Sequence, residues 1–279
     1  MLLATVLALS AAVLHAGWNL VAKRADGDRY LVLWAQFFAA GLMTLPLLIG
    51  YQLIWGMPWQ GYAWAATSGC VHVPYMWLLA RAYKTGDFSI SYPVARGGGA
   101  ALAAIGGVVA LHDHLTPFEV VGIGIVVCGL VLLAYGAHGA SLALALLAAV
   151  SIGLYSTIDG KGVRSTDETI AFVLATMCAG GITNTTFALI IRRPADMSAM
   201  FRANWRRAFI TGLATVVTYG MVLVAFTYAP IGYVTALRES SVVLAALAGW
   251  RLLGEGDHRR RISAAVVVFS GLLVLVLGR

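Results

Sequence analysis

Long apolar runs separated by short polar breaks fill the chain from end to end. A helix needs about 20 mostly apolar residues to cross ~30 Å of hydrocarbon. Runs of about that length lie at 2–22, 30–51, 62–82, 88–110, 118–136, 140–158, 169–191, 208–229, 231–253 and 262–278. The pattern predicts ten membrane-spanning helices. Segments alternating polar and apolar over about ten residues, which a β-barrel requires, are absent. The longest polar stretch, 192–207, is too short for a separate domain.

Composition agrees. Apolar residues make up 60% of the chain and charged residues 11%, against roughly 25% charged in soluble domains. The net charge of +7 resides largely in short basic tracts between apolar runs, such as Arg192-Arg193, Arg206-Arg207 and Arg259-Arg260-Arg261. That is the pattern of loops against an anionic membrane face, and it argues against nucleic-acid binding. Cys70, Cys128 and Cys178 fall inside apolar runs without CxxC spacing and read as small buried hydrophobes. No cleavable signal peptide is evident at the start.

Residues 93–136 match 235–278 at a constant shift of 142. The pairs include Arg96/Arg238, Gly107/Gly249, Leu111/Leu253, Gly129/Gly271 and Gly136/Gly278. A weaker echo pairs Lys23 with Lys161. The chain therefore divides into a first repeat, 2–136, and a second, 140–278. Five spans per repeat is an odd number, so the second copy enters the membrane inverted. Inverted repeats are a signature of transporters, with the substrate site near midplane at the repeat interface. With the N-terminus inside, three Lys/Arg (Lys161, Arg164 and Arg279) face the cytoplasm and fourteen face out, so the positive-inside rule favours both termini outside.

Several stretches, taken in order, resemble the EamA family of the drug/metabolite transporter superfamily. They are His15-Ala16-Gly17-Trp18-Asn19, Tyr92-Pro93-Val94-Ala95-Arg96-Gly97, Asp159-Gly160-Lys161-Gly162-Val163-Arg164, Leu237-Arg238-Glu239-Ser240-Ser241 and Leu252-Leu253-Gly254-Glu255. The resemblance implies an all-α membrane protein of ten transmembrane helices in two inverted EamA repeats. It implies a central cavity lined by spans 1, 3, 4, 6, 8 and 9, with 5 and 10 peripheral. Small metabolites such as amino acids, often exported across the cell (inner) membrane, are the implied substrates. The family usually keeps both termini in the cytoplasm, against the charge count, and orientation stays open.

Arg96, Arg238 and Glu239 lie well inside spans, where a charge costs on the order of 2.5–3.5 kcal/mol on insertion scales. Such residues face a cavity or a partner. One reading is an anion clamp, with one or both guanidinium groups holding a substrate carboxylate. Glu239 would then balance an arginine, bind a substrate amine or carry a coupling proton. The other reading is a buried Arg–Glu pair that fixes packing. His15, Trp18 and Asn19 share one face of span 1 and, with Tyr155 and Thr157 in span 6, are candidates for the cavity wall. Asp159 falls near a span end, where Lys161 or Lys23 would pair with it. Pro93 and Gly97-Gly98-Gly99 point to close helix packing ahead of local unwinding, and Pro74 to a kink.

His112-Asp113-His114 and Glu255, Asp257 and His258 read as polar loops, since a zinc site needs further ligands. No metal or organic cofactor is expected, and coupling to a proton or another ion is open, with Glu239, Asp159 and His15 as titrating candidates. The absence of HExxH, GxSxG and P-loop patterns argues against an enzyme. An intramembrane enzyme, channel or signalling protein is the alternative to a transporter. The expected partners are the lipid bilayer and a small, carboxylate-bearing solute.

Overall fold

The computed structural model describes residues 1–23, 28–85, 88–133, 139–244 and 258–278. Within these, the side chains of 18–23, 82–85, 88–93, 133, 139–141, 258, 260 and 261 are excepted. Trp18, Asn19, Lys23 and Pro93, as side chains, and Glu255 and Asp257 altogether, thus lie outside the described residues, as does the side chain of His258.

The described residues fold entirely as helices and their connections. The helices are α1 (Leu2–Lys23), α2 (Arg29–Ile54), α3 (Trp59–Thr85), α4 (Phe88–Leu111), α5 (Pro117–Leu133), α6 (Gly139–Ser165), α7 (Thr169–Ile191), α8 (Pro194–Tyr228), α9 (Ile231–Arg238) and α10 (His258–Leu277). Five of them, α2, α4, α6, α7 and α8, contain apolar stretches of 18 residues or more, long enough to cross a membrane. Shorter apolar stretches occur at Leu2–Gly17, Pro117–Leu132 and Ile262–Leu277. The outer surface is apolar: Val6, Val13, Leu47, Val109, Val131, Ile170, Ile182 and Leu273 all point outward. In water such a surface would be an aggregation liability; in lipid it is the solvated face.

Because lipid tails are as apolar as leucine, helices associate in a bilayer through close packing of small residues. The seams here follow that rule. Cβ atoms added at Gly98 and Gly99 of α4 would come within 2.9 Å of Ala149 and 2.5 Å of Ile152 on α6. Gly41 and Gly181 bring α2 and α7 into backbone contact, and Gly122 and Gly271 do the same for α5 and α10.

These contacts also give direction. Positions 98, 99 and 106 of α4 meet 149, 152 and 157 of α6 in rising order, so the two run parallel. Phe37 and Gly41 meet Gly180 and Gly181, while Tyr51 bonds Glu168, so α2 and α7 run antiparallel. Gly122 and Gly129 meet Leu275 and Val268, so α5 and α10 also run antiparallel. Gly232 packs on Ala104 while Glu239 reaches Arg96, so α9 is antiparallel to α4. The packing partners exchange when each helix is replaced by the one five places on. Thus α6 packs on α3 and α4, and α1 on α8 and α9; α7 packs on α2 and α3, and α2 on α7 and α8.

Four expectations need correction. Residues 194–207, read as a polar connection, are helical: α8 begins at Pro194 and bends at Asn204 (φ −124°, ψ 16°), where the Asn204 amide donates to the Met200 carbonyl at 3.2 Å. Helix α6 runs on to Ser165 instead of ending at 158, because small and polar residues beyond Ile158 are enclosed by neighbouring helices. Cys70 and Cys128 face outward and only Cys178 is buried. The ninth apolar run is interrupted: α9 stops at Arg238, Glu239 donates its N–H to the Ala236 and Leu237 carbonyls, and the chain is helical again over 240–244. Tightened turns inside a helix often mark hinges. By contrast, α4 is unbroken across Gly97-Gly98-Gly99, whose missing side chains are taken up by Leu130, Ala149 and Ile152. Helix α3 runs continuously through Pro74.

Candidate functional site

The interruption in α9 places two charges at the centre of the bundle. Arg96 of α4 and Glu239 face each other across the α4–α9 contact. Arg96 donates through Nη2 to Oε1 at 2.6 Å and through Nε to Oε2 at 3.2 Å. Both side chains are 3% exposed. The planar guanidinium fork fits a carboxylate in this two-point way. The charge of Arg96 is thus neutralised inside the bundle.

Arg238 has a different environment. It is buried, and its guanidinium carbon sits 5.8 Å from the centre of the Tyr219 ring. Among the described residues it forms no ion pair. At the shift of 142 that aligns Arg96 with Arg238, Glu239 corresponds to Gly97, so the position matching Glu239 offers Arg238 no carboxylate. What Arg238 does have is a place in the last turn of α9, where the helix dipole favours a cation.

Arg96 and Arg238 line one cavity. Around them stand His15 of α1, Gln36 and Phe37 of α2, His72, Tyr75 and Met76 of α3, and Tyr155 of α6. Met177 of α7 and Thr215, Thr218 and Tyr219 of α8 complete the wall. The water-accessible space is about 60 Å³, small beside the ~300–1,000 Å³ of ligand pockets.

Aromatic rings form the floor. His72 stacks on Tyr155 with ring centres 4.1 Å apart, and Tyr75 and Tyr219 meet Tyr155 edge-on at 5.6 and 6.3 Å. Nδ1 of His72 hydrogen-bonds the Ser68 carbonyl at 2.9 Å, which orients its ring. Gln36 donates to Thr215 across α2 and α8. Behind Tyr219, fully buried, lies Asp159. Its Oδ2 accepts from the Tyr219 hydroxyl, and its Oδ1 has no hydrogen-bond partner among the described residues.

A second charged cluster lies where α4, α6 and α8 end and α9 begins. His112, with a left-handed φ of 55°, turns the chain so that Asp113 reaches back over the end of α4. Asp113 Oδ1 accepts from Arg164 Nη1 at 2.6 Å, and its Oδ2 accepts from the Ile231 N–H at 2.8 Å, capping α9. Arg164 also donates to the carbonyls of Phe226 at 2.7 Å and Ala229 at 2.9 Å. One clasp ties the α4–α5 connection to α6, α8 and α9.

Of the residues singled out in the sequence, Arg96, Arg238, His15 and Tyr155 come together at the cavity, and Glu239 joins them through Arg96. Thr157 instead bonds back to the Gly153 carbonyl and packs against Gly106 in the α4–α6 seam. Asp159 accepts from Tyr219, and no ion pair joins it to Lys161. His112 and His114 form no metal cluster, and none occurs among the described residues. His72, Gln36, Thr215 and Thr218 were missed. Their signal was a polar residue inside an apolar helix, and for Thr211, Thr215 and Thr218 a spacing of three or four that marks one helical face.

The sequence of residues 139–277 matches the model of the EamA-like transporter family. A solved crystal structure is similar in fold, with a TM-score of 0.74 at 15% identity, covering 99% of this chain and 99% of that one. No curated protein matches.

Proposed function

The chain belongs to the EamA-like transporter family, a family of the drug/metabolite transporter superfamily, and from that premise we propose that it carries small carboxylate-bearing solutes, such as amino acids, by alternating access. The observation that carries this reading is Arg238. It is a buried guanidinium without a carboxylate partner among the described residues, beside a cavity and a neighbouring arginine already neutralised by Glu239. A cation held in an apolar bundle at that cost is suited to an anion that arrives and leaves. The substrate carboxylate would meet Arg238, while the His72, Tyr75, Tyr155 and Tyr219 rings would pack its side chain.

In this reading the ten helices are two inverted five-helix repeats, 2–136 and 140–278. Support comes from the exchange of packing partners five helices apart and from the antiparallel contacts of α2 with α7, α4 with α9 and α5 with α10. Two such repeats can rock about a central site, exchanging one open end for the other. The Asp113–Arg164 clasp would hold one end shut, and the break at Arg238–Glu239 would serve as the hinge. Export across the cell membrane is the direction that the family resemblance suggests.

The test is counterflow. Purified protein in liposomes loaded with mixed amino acids and small organic acids should show saturable uptake of labelled members. Replacing both Arg96 and Arg238 with glutamine should abolish it. Unchanged flux in that variant, at normal expression, would overturn the proposal.

A further inference from the structure

Asp159 has no part in the carboxylate clamp, yet its surroundings are unusual. It sits on α6 one turn beyond Tyr155, with no exposure to solvent. One of its oxygens accepts from Tyr219 and the other has no hydrogen-bond partner among the described residues. Ionised carboxylates are retained inside proteins when paired or fully hydrogen-bonded; this one is only partly hydrogen-bonded, with Arg238 as its nearby counter-charge. Glu239, the other acid at the centre, has both oxygens engaged by Arg96.

The groups around Asp159 set its charge. From α8 comes Tyr219. From α3 come Ser68, beside the carboxyl group, and His72, packed edge-on against Tyr219. Tyr155 lies on α6 itself. Helix α9 contributes Arg238, close enough to act on the carboxyl group's charge. Arg96 of α4 is already balanced by Glu239. Helix α7 adds only the apolar Met177 to the nearby cavity wall. Once Arg96 and Glu239 cancel, Asp159 is the carboxyl group and Arg238 the guanidinium that remain, beside the imidazoles of His15 and His72, and one tyrosine bridges them, its hydroxyl on the acid and its ring facing the guanidinium.

We propose that Asp159 is the site of a coupling proton, and that a proton on Asp159 and a carboxylate on Arg238 favour each other's binding. The inference rests on the carrier reading above. With the cavity empty, ionised Asp159 offsets Arg238 through Tyr219. When a substrate carboxylate takes over Arg238, the negative charge on Asp159 loses its counterpart and Oδ1 takes a proton from water at the open end. An O–H bond forms at Oδ1, and Tyr219 continues to donate to Oδ2. Release of the carboxylate at the other end returns the proton to water there. One proton thus moves with each carboxylate in the same direction, so export would run on the outward carboxylate gradient and not on an inward proton gradient.

The test has two arms. Infrared difference spectra of the reconstituted protein across a pH step, without substrate, read protonated carboxyl groups directly. A carboxylic C=O band is expected that Asp159→Asn removes, Glu239→Gln retains and Tyr219→Phe shifts. The second arm drives accumulation of a labelled amino-acid and organic-acid pool with a pH gradient. Across a gradient of about one pH unit, one proton per carboxylate supports about tenfold accumulation, since 1.4 kcal/mol is a factor of ten, and Asp159→Asn should abolish it, while exchange persists with its pH dependence lost. A band that survives in Asp159→Asn, or does not respond to Tyr219→Phe, overturns the proposal, as does retained gradient-driven accumulation. If the band behaves as expected and the parent protein exchanges no solute, the proton site stands and the carrier reading fails.

Discussion

At the scale of single residues, the centre of this protein is decided by which charges have partners. Arg96 and Glu239 form a two-point pair with both side chains 3% exposed. Removing one member leaves the other buried and unneutralised, a loss of about 3–5 kcal/mol in comparable cases. Glu239→Gln should therefore lower the thermal midpoint sharply, and adding Arg96→Gln should recover part of it, read by the temperature at which the protein leaves its monodisperse state. A single variant as stable as the parent would show that the pair is not the structural element described here. Among the described residues Arg238 lacks such a partner, so Arg238→Gln should cost far less stability and much more flux. The sequence displayed these three charges plainly, because an ionisable residue within an apolar run has few innocent explanations. It displayed Asp159 poorly. The hydropathy of α6 falls away at Ile158, but Asp159, Gly160, Gly162 and Val163 stay buried, so a buried acid resembled a span-end residue.

At the scale of elements, small residues set how closely the helices approach and a short clasp sets where one end closes. A methyl group at Gly99 would lie 2.6 Å from Ile152 Cβ, an atom that cannot move without its helix. Gly99→Ala should then destabilise by about 1–3 kcal/mol, the usual cost of overpacking, and a thermal midpoint equal to the parent's would refute the tight α4–α6 seam. Asp113 caps α9 through the Ile231 N–H and holds Arg164. Hydrogen bonds to charged groups contribute roughly 1.5–3 kcal/mol. Asp113→Asn should speed amide exchange across 229–234 by about tenfold or more, since 1.4 kcal/mol is a factor of ten. Exchange confined to its original rate would mean that the clasp does not hold that end. Hydropathy could not reveal either feature. The clasp joins residues 51 and 118 positions apart, and the break in α9 arises within an apolar run whose composition favours an uninterrupted helix.

At the scale of the whole molecule, the lengths and breaks of the apolar runs carried most of the helix positions. The apolar runs located the helices, and the shift of 142 aligned Arg96 with Arg238 before either was seen to face one cavity. The same alignment held, unread, the asymmetry that matters most: Gly97 stands where the second repeat has Glu239. The long helical start of α8 was not legible, because its basic and polar residues resemble a loop until Pro194 opens the helix and Asn204 bends it. Arg238 as a carboxylate clamp is the central claim, and it is tested most directly by counterflow of matched solutes differing only in carboxylate against carboxamide. The parent should prefer the carboxylate strongly, Arg238→Gln should lose that preference, and Arg238→Lys should keep part of it. A preference unchanged in Arg238→Gln would contradict the assignment and move substrate recognition to another part of the cavity.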